Sequence, residues 1–336
     1  MPTIAETFGL RGPRLAAPAD RRMVDSVEAG LERVEERLGA HLHVADPVAD
    51  AVTRYLLEAG GKRARPLLLL LTAHLGRGID DEVLSAAELI EITHVASLYH
   101  DDVMDEAETR RGVPSAHVAW SNSVAILAGD LLFARAGQIA APLGAEVAQL
   151  QARTFERLCL GQLHETLGPG DADPVEHYLQ VLADKTGSLI AAAAECGALV
   201  SGADAALREA LRVFGERIGV AFQLVDDVID LSSDPDTGKD QGNDVRAGVA
   251  TLPVLLLAKR DDDASAALLR RLHEPADEAE LAAAVVELAA HPVVDETMAE
   301  AERWQREALA ALEPLPAGTV RRALEAFAEK VVSRTR

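Results

Sequence analysis

Residues 92–112 read ITHVASLYHDDVMDEAETRRG. Counting back from Asp101 by fours and threes gives Ser97, His94, Ile90, Ala87 and Val83. Such steps put these residues on one face of a helix. That face runs from apolar, through small and polar, to acidic. It suits the wall of a deep apolar pocket with a cation at its mouth. It suits equally an ordinary core stripe whose end reaches solvent, so this helix alone does not choose.

The sequence around it is helical as well. Val24, Val27, Leu31, Val34 and Leu38 mark one amphipathic helix. Leu207, Leu211, Phe214, Ile218, Phe222, Val225 and Ile229 mark a longer one, with Asp204 as N-cap. Breaks fall at Gly60-Gly61, Gly76–Gly78, Arg111–Pro114 and Gly168–Pro174. No convincing alternating strand and no Ser/Gly linker appears. A composition rich in Ala, Leu, Glu and Arg, with 3% aromatic residues, favours helix over sheet. The expectation is an all-α chain, with a flexible arm over residues 1–20 and a single domain over residues 21–336.

The 336 residues carry a formal net charge of −22, which argues against nucleic acid as a partner. If the substrates are phosphates, basic residues must gather locally or metal ions must intervene. Cys159 and Cys196 each sit in an apolar, helix-like stretch, so no disulfide framework is expected and a reducing cytosol fits. The N-terminus lacks the continuous apolar run of a signal peptide. The longest apolar runs, Leu67–Leu71 and Val254–Ala258, are too short to span a bilayer.

The cluster Asp101, Asp102 and Asp105 (DDVMD) has a second copy, DDVID, at Asp226, Asp227 and Asp230. In a chain with 55 acidic residues about one such pattern arises by chance, and a single copy reads first as a solvated acidic face. Both copies, however, are pure Asp, a poor helix former, and both lie near the end of a helix. There the helix dipole disfavours carboxylates, and like charges four apart add to the cost. Carboxylates set against local electrostatics call for a cation. All-oxygen ligands suit Mg²⁺. Lys62, Arg63 and Arg65 in GGKRARP, Arg110, Arg111, Lys185-Thr186-Gly187 and Gln223 complete the set. Each basic pair alone reads as a solvated cluster, and His94 alone as a satisfied core histidine. Together, around two Asp clusters, they suit phosphate oxygens. The irregular segment from Ser232 to Ala250 reads as a functional lid.

From roughly Leu57 to Leu257 the chain resembles the polyprenyl synthase (trans-isoprenyl diphosphate synthase) family, and within it the long-chain members. The resemblance is carried in order by GGKRARP, ITHVASLYHDDVMDEAETRRG, NSVAILAGDLLFARA, GQLHE, DKTGSL, FQLVDDVIDLSSD, GKDQGNDVRAG and TLP. It implies an isoprenoid synthase bundle around a central apolar cavity, Mg²⁺ as cofactor, and a homodimer in the cytoplasm. It implies condensation of isopentenyl diphosphate with an allylic diphosphate to a medium- to long-chain all-trans product. By the same resemblance Asp101, Asp102 and Asp105, with Asp226, Asp227 and Asp230, hold the Mg²⁺ ions. Arg110, Lys185 and Lys239 contact the allylic diphosphate, and Thr186 and Gln223 sit near the ionising carbon. Lys62, Arg65, His94 and Arg111 bind isopentenyl diphosphate. Ala96 and Ser97, with Thr93 a turn below, are small where short-chain members carry an aromatic floor. No transmembrane segment is implied, only peripheral membrane contact at product release.

One departure stands out: Val249 takes the place of a Lys found in many relatives, so one diphosphate contact is missing or supplied by another residue. A terpene cyclase of the same fold is the first rival, and the second Asp motif with GGKRARP counts against it. A non-catalytic subunit of a heterodimeric synthase would be expected to lose the Asp motifs. A farnesyl or geranylgeranyl diphosphate synthase is the alternative in product length.

Overall fold

The computed structural model describes residues 3–43, 45–232 and 241–333. Residues 233–240 of the expected lid, Lys239 among them, lie outside the described residues. The longer helices are α1 (Pro18–His41), α2 (Pro47–Glu58), α3 (Ala64–Ala73), α4 (Asp81–Met104) and α5 (Asn122–Ala140). They continue as α6 (Ala145–Leu167), α7 (Pro174–Leu182), α8 (Ser188–Val200) and α9 (Ala205–Asp230). The last third of the chain forms α10 (Leu252–Ala258), α11 (Asp263–His273), α12 (Glu278–Ala289), α13 (Pro292–Ala311) and α14 (Thr319–Val332).

Helix α4 is the middle of the bundle. Asp80 caps it, accepting the Val83 amide at 3.0 Å. Val83, Leu84, Ala86, Ala87, Leu89 and Ile92, which lie all round the helix, are buried. A helix apolar on every side is a core helix, and α4 packs on α1, α3, α5 and α8. Helix α9 is buried along α8 and α13. Each of these two helices ends in an Asp motif, so buried apolar length fixes where the carboxylates sit.

Two hydrophobic clusters form. The larger spans α1 to α9 with α13 and α14. The smaller gathers Leu231, Val245, Leu257, Leu268, Leu272 and Val285, and lies just beyond the second Asp motif. The N-terminal residues expected to form a flexible arm are packed instead. Ile4–Thr7 is a turn of helix, Ala5 and Leu10 are fully buried, and Phe8 stacks on Phe327 of α14 at 5.2 Å. Four apolar residues at irregular spacing gave no periodic signal.

Among the described residues the only sheet is a hairpin, Thr109–Arg110 against Val113–Pro114. Its two central residues, Arg111 and Gly112, have φ of 55° and 79°. That is the sign pattern of a type I′ turn, whose twist suits a two-residue hairpin. A strand of two residues is too short for alternation to reveal it.

The 22-residue stretch Asn122–Leu143 is long and apolar enough to cross a membrane by length and composition. A search for uninterrupted apolar runs passes over it because Asp130 and Arg135 interrupt it. One face packs on α4, with Gly129 against His100 and the Ala96 carbonyl. The other leaves Leu127 60% exposed, with Ile126 and Leu131 beside it.

Candidate active site

The first motif forms the last turn of α4. Asp102 is fully buried, Asp101 half-buried and Asp105 exposed. Arg110, in the hairpin, donates from Nε to Asp102 Oδ1 at 2.6 Å. The other oxygen, Oδ2, is buried and has no hydrogen-bond partner among the described residues. Burial pushes Asp101 up to about 6, with Asp105 adding to the rise and Lys185 opposing it. Lys185 is therefore an electrostatic neighbour of the first motif.

The second motif ends α9. Asp227 is buried, and Tyr178 of α7 donates its hydroxyl to Oδ2 at 2.7 Å. Burial raises this carboxyl to about 7 despite that bond and the nearby Leu252 amide, and its Oδ1 is a second buried oxygen that no donor among the described residues meets in good geometry. Asp226 is half-buried. Asp230, expected as a metal ligand, also accepts two main-chain amides. Its Oδ1 accepts the Asn243 amide at 3.2 Å and its Oδ2 the Asp244 amide at 3.1 Å. It thereby caps the short helix Asn243–Arg246 and fastens the segment after residue 240 to α9.

Between the motifs lies one turn of π-helix, Ala183–Gly187, which carries Lys185 and Thr186. Such turns are rare and frequent at functional sites. The Lys185 ammonium pairs with Glu165 of α6. Thr186 Oγ1 donates to Gln223 Oε1 at 3.4 Å.

The basic residues divide by role. Lys62 is exposed. Arg63 is buried and turns inward, donating to Glu91 Oε1 at 2.8 Å and pairing with Glu35. Arg65 Nε is buried without a partner among the described residues, and burial lowers this guanidinium to about 10 while Glu91 opposes the shift. Arg111 donates to the Leu56 carbonyl at 2.7 Å and lies 4.0 Å from Glu91. His94 is held well below its ordinary pKa by burial and then by Arg65 and Arg111, so it is neutral. Gly61 lets this cluster close: a Cβ there would come within 3.1 Å of the Arg111 guanidinium. Among the described residues the non-glycine residues at positive φ are Arg63 and Arg111, in this cluster, and Glu106, next to Asp105 of the first motif. Left-handed backbone at such residues is costly and gathers at functional sites.

Sequence reading missed Glu91, Glu165 and Tyr178, which partner the cations and the second motif. A glutamate in the buried middle of α4 was the available signal. Arg246, near Val249, is bound to Glu278, and Val249 itself is exposed. Among the described residues no three His, Cys, Asp or Glu side chains gather as a ready cation site.

The three candidate chain-length positions do not share one environment. Thr93 is buried with its hydroxyl on the Leu89 carbonyl at 2.9 Å. Ala96 has no accessible surface and sits where α4 meets Gly129 of α5. Ser97 is half-buried. Tyr99 points away from the motif, as its place on the helix predicts, and donates to the Val52 carbonyl of α2.

Residues 46–288 match the family model described as polyprenyl synthetase. The nonaprenyl diphosphate synthase of Mycobacterium tuberculosis is 43% identical over 316 residues, covering 92% of this chain and 93% of that protein. A decaprenyl diphosphate synthase of Rhodobacter capsulatus superposes with a TM-score of 0.85 at 32% identity, covering 94% of this chain and 99% of that one. The geranylgeranyl pyrophosphate synthase of Corynebacterium glutamicum, solved with calcium and isoprenyl diphosphate, superposes with a TM-score of 0.85 at 39% identity, covering 95% and 98%. With this site geometry on this all-α frame, the chain belongs to the polyprenyl synthetase family of prenyltransferases.

Proposed function

We propose that this protein condenses isopentenyl diphosphate with an allylic diphosphate to give a medium- to long-chain all-trans polyprenyl diphosphate, using Mg²⁺. The observation that carries the reading is a pair of buried carboxylate oxygens that no donor among the described residues meets in good geometry, Asp102 Oδ2 and Asp227 Oδ1, one in each Asp motif. Buried acceptors without donors are costly, and a cation relieves both. Asp101, Asp105 and Asp226 are the more open carboxylates, with Asp102 and Asp227 behind them. An all-oxygen set of few protein ligands suits Mg²⁺, completed by water and substrate phosphate. The calcium bound by the Corynebacterium glutamicum protein supports a divalent site here.

A divalent cation held by Asp101, Asp105 and Asp226 would supply Lewis-acid neutralisation of charge on the departing diphosphate. Lys185 and Arg110 leave Glu165 and Asp102 to hold the allylic diphosphate oxygens. Thr186 and Gln223 flank the carbon whose bond to oxygen breaks. Lys62, Arg65 and Arg111 hold isopentenyl diphosphate, and neutral His94 adds a hydrogen bond rather than charge. The isopentenyl double bond then attacks the allylic carbon, and the proton lost from the new chain passes to the released diphosphate. Breaking that carbon–oxygen bond leaves an allylic carbocation, which apolar surroundings shield from water. Incubating the protein with isopentenyl and farnesyl diphosphates and Mg²⁺ should give longer prenyl diphosphates by mass analysis. Full turnover in excess chelator would sink the metal requirement, and no elongation of any allylic primer would sink the reading itself.

The chain acts as a homodimer that covers the exposed apolar side of α5 and α6, where Leu127, Leu131, Leu163 and Leu167 face outward. Apolar patches of this kind mark interaction surfaces. Sedimentation at the mass of one 35.7 kDa chain would remove the dimer.

A further inference from the structure

The π turn Ala183–Gly187 presents Lys185 and Thr186 in a rare backbone form that its surroundings must hold. Close backbone packing holds one side. A Cβ on Gly161 of α6 would lie 2.9 Å from the Lys185 amide nitrogen, and one on Gly219 of α9 would lie 2.7 Å from Gly187 Cα. Arg157, one helical turn before Gly161 on α6, holds the other. It donates from Nε to Asp184 Oδ1 at 2.7 Å, from Nη1 to Glu216 Oε2 at 2.5 Å and from Nη2 to the Ala183 carbonyl at 3.2 Å. One guanidinium thus ties α6, the π turn and α9 together. Asp184 is held further by Gln180 Nε2 at 2.8 Å, and its carbonyl accepts the Ser188 hydroxyl at 2.5 Å.

We infer that Arg157 is a positioning residue for the allylic diphosphate, fixing the π turn so that Lys185 faces the first Asp motif while Thr186 stays on Gln223. The inference rests on the prenyl-transfer reading for its substrate, but its structural half stands on its own. A simple surface ion pair would need one acceptor. Here a planar fork reaches a carboxylate and a main-chain carbonyl of the π turn and a second carboxylate on α9, a geometry an ammonium cannot reproduce. Without it, Asp184 and Glu216 lose the charge they share, and the turn is free to relax toward ordinary α-helix. Lys185 would then rotate away from the motif and Thr186 from Gln223.

The test compares Arg157→Gln, Arg157→Lys and Asp184→Asn with wild type. Hydrogen exchange by mass spectrometry, without substrates, should show faster exchange confined to about residues 180–188 in Arg157→Gln. With farnesyl and isopentenyl diphosphates, KM for the farnesyl substrate should rise about tenfold while KM for isopentenyl diphosphate stays within about twofold. Arg157→Lys should not restore it, and Asp184→Asn should reproduce the allylic effect. Unchanged exchange across the turn, equal rises in both KM values, or full rescue by Lys would overturn the role. If wild type elongates no allylic diphosphate, the prenyl-transfer reading fails, and the exchange result still decides whether Arg157 holds the turn.

Discussion

Asp101→Ala should lower kcat roughly a thousandfold, the loss that follows from about 4 kcal/mol of transition-state stabilisation, with the helical circular dichroism unchanged. Asp226→Ala should fall in the same range. A variant retaining a tenth of wild-type kcat would remove the residue from the cation site. The same carboxylate is a liability without the ion. Its folded-state pKa, about 6, lies above its ordinary 3.8. The folded protein therefore keeps the proton over a window where the unfolded chain has lost it. Stability falls as pH rises through that window, and the penalty is complete above about 6. In chelator at pH 7, Asp101→Asn should melt about 2 °C above wild type, with the gain vanishing toward pH 4. With Mg²⁺ and diphosphate added, wild type should become the more stable. A lower melting point for Asp101→Asn in chelator at pH 7 would show that Lys185 and Arg110 already compensate the charge.

The bundle was legible because long helices leave a periodic trace. The 207–229 stripe, its start at Asp204 and the break at Gly60-Gly61 all fall where α9 begins and α2 ends. The N-terminal segment was not legible, because Ala5, Phe8, Leu10 and Leu15 are buried by tertiary contact with no repeat among them. The π turn was equally hidden: nothing in the letters DKTG marks it, and it is held by partners far along the chain, Gly161 and Gly219 packed against it and Arg157 bonded to it.

Within the candidate site, types of residue were easier to read than their partners. Two Asp triplets are visible as letters, whereas which oxygens stay partnerless depends on neighbours far along the chain. Asp102 meets Arg110 eight residues on, and Asp227 meets Tyr178 forty-nine residues back. Asp230 has a contact that the motif does not show. It has the same letter and spacing as Asp105, but it follows the last buried turn of α9 and meets two free amides of the next helix. Arg63 likewise shares a motif with Lys62 and Arg65, yet its left-handed backbone turns it inward toward Glu91.

Ser97→Phe should shorten the product sharply, and Ala96→Phe should not act in the same way. At about 100° per residue Ser97 lies about 40° from Asp101 around α4, whereas Ala96 lies about 140° away. The structure agrees: Ser97 keeps accessible surface, and Ala96 has none at the contact with Gly129. A phenyl ring at residue 97 would stand on the stripe that descends from the metal motif through His94 to Ile90, blocking a chain that grows along it. Each turn of helix is about 5.4 Å deep, similar to the extended length of one C5 unit. A floor set within one turn of the motif should therefore end elongation after one or two additions. At residue 96 the ring would instead enter the α4–α5 contact, and overpacking there should cost about 1–3 kcal/mol. Mass analysis of the products and thermal melts of both variants separate the two effects. If wild type stops at the farnesyl length, or Ser97→Phe makes wild-type products, the growing chain does not follow this face of α4.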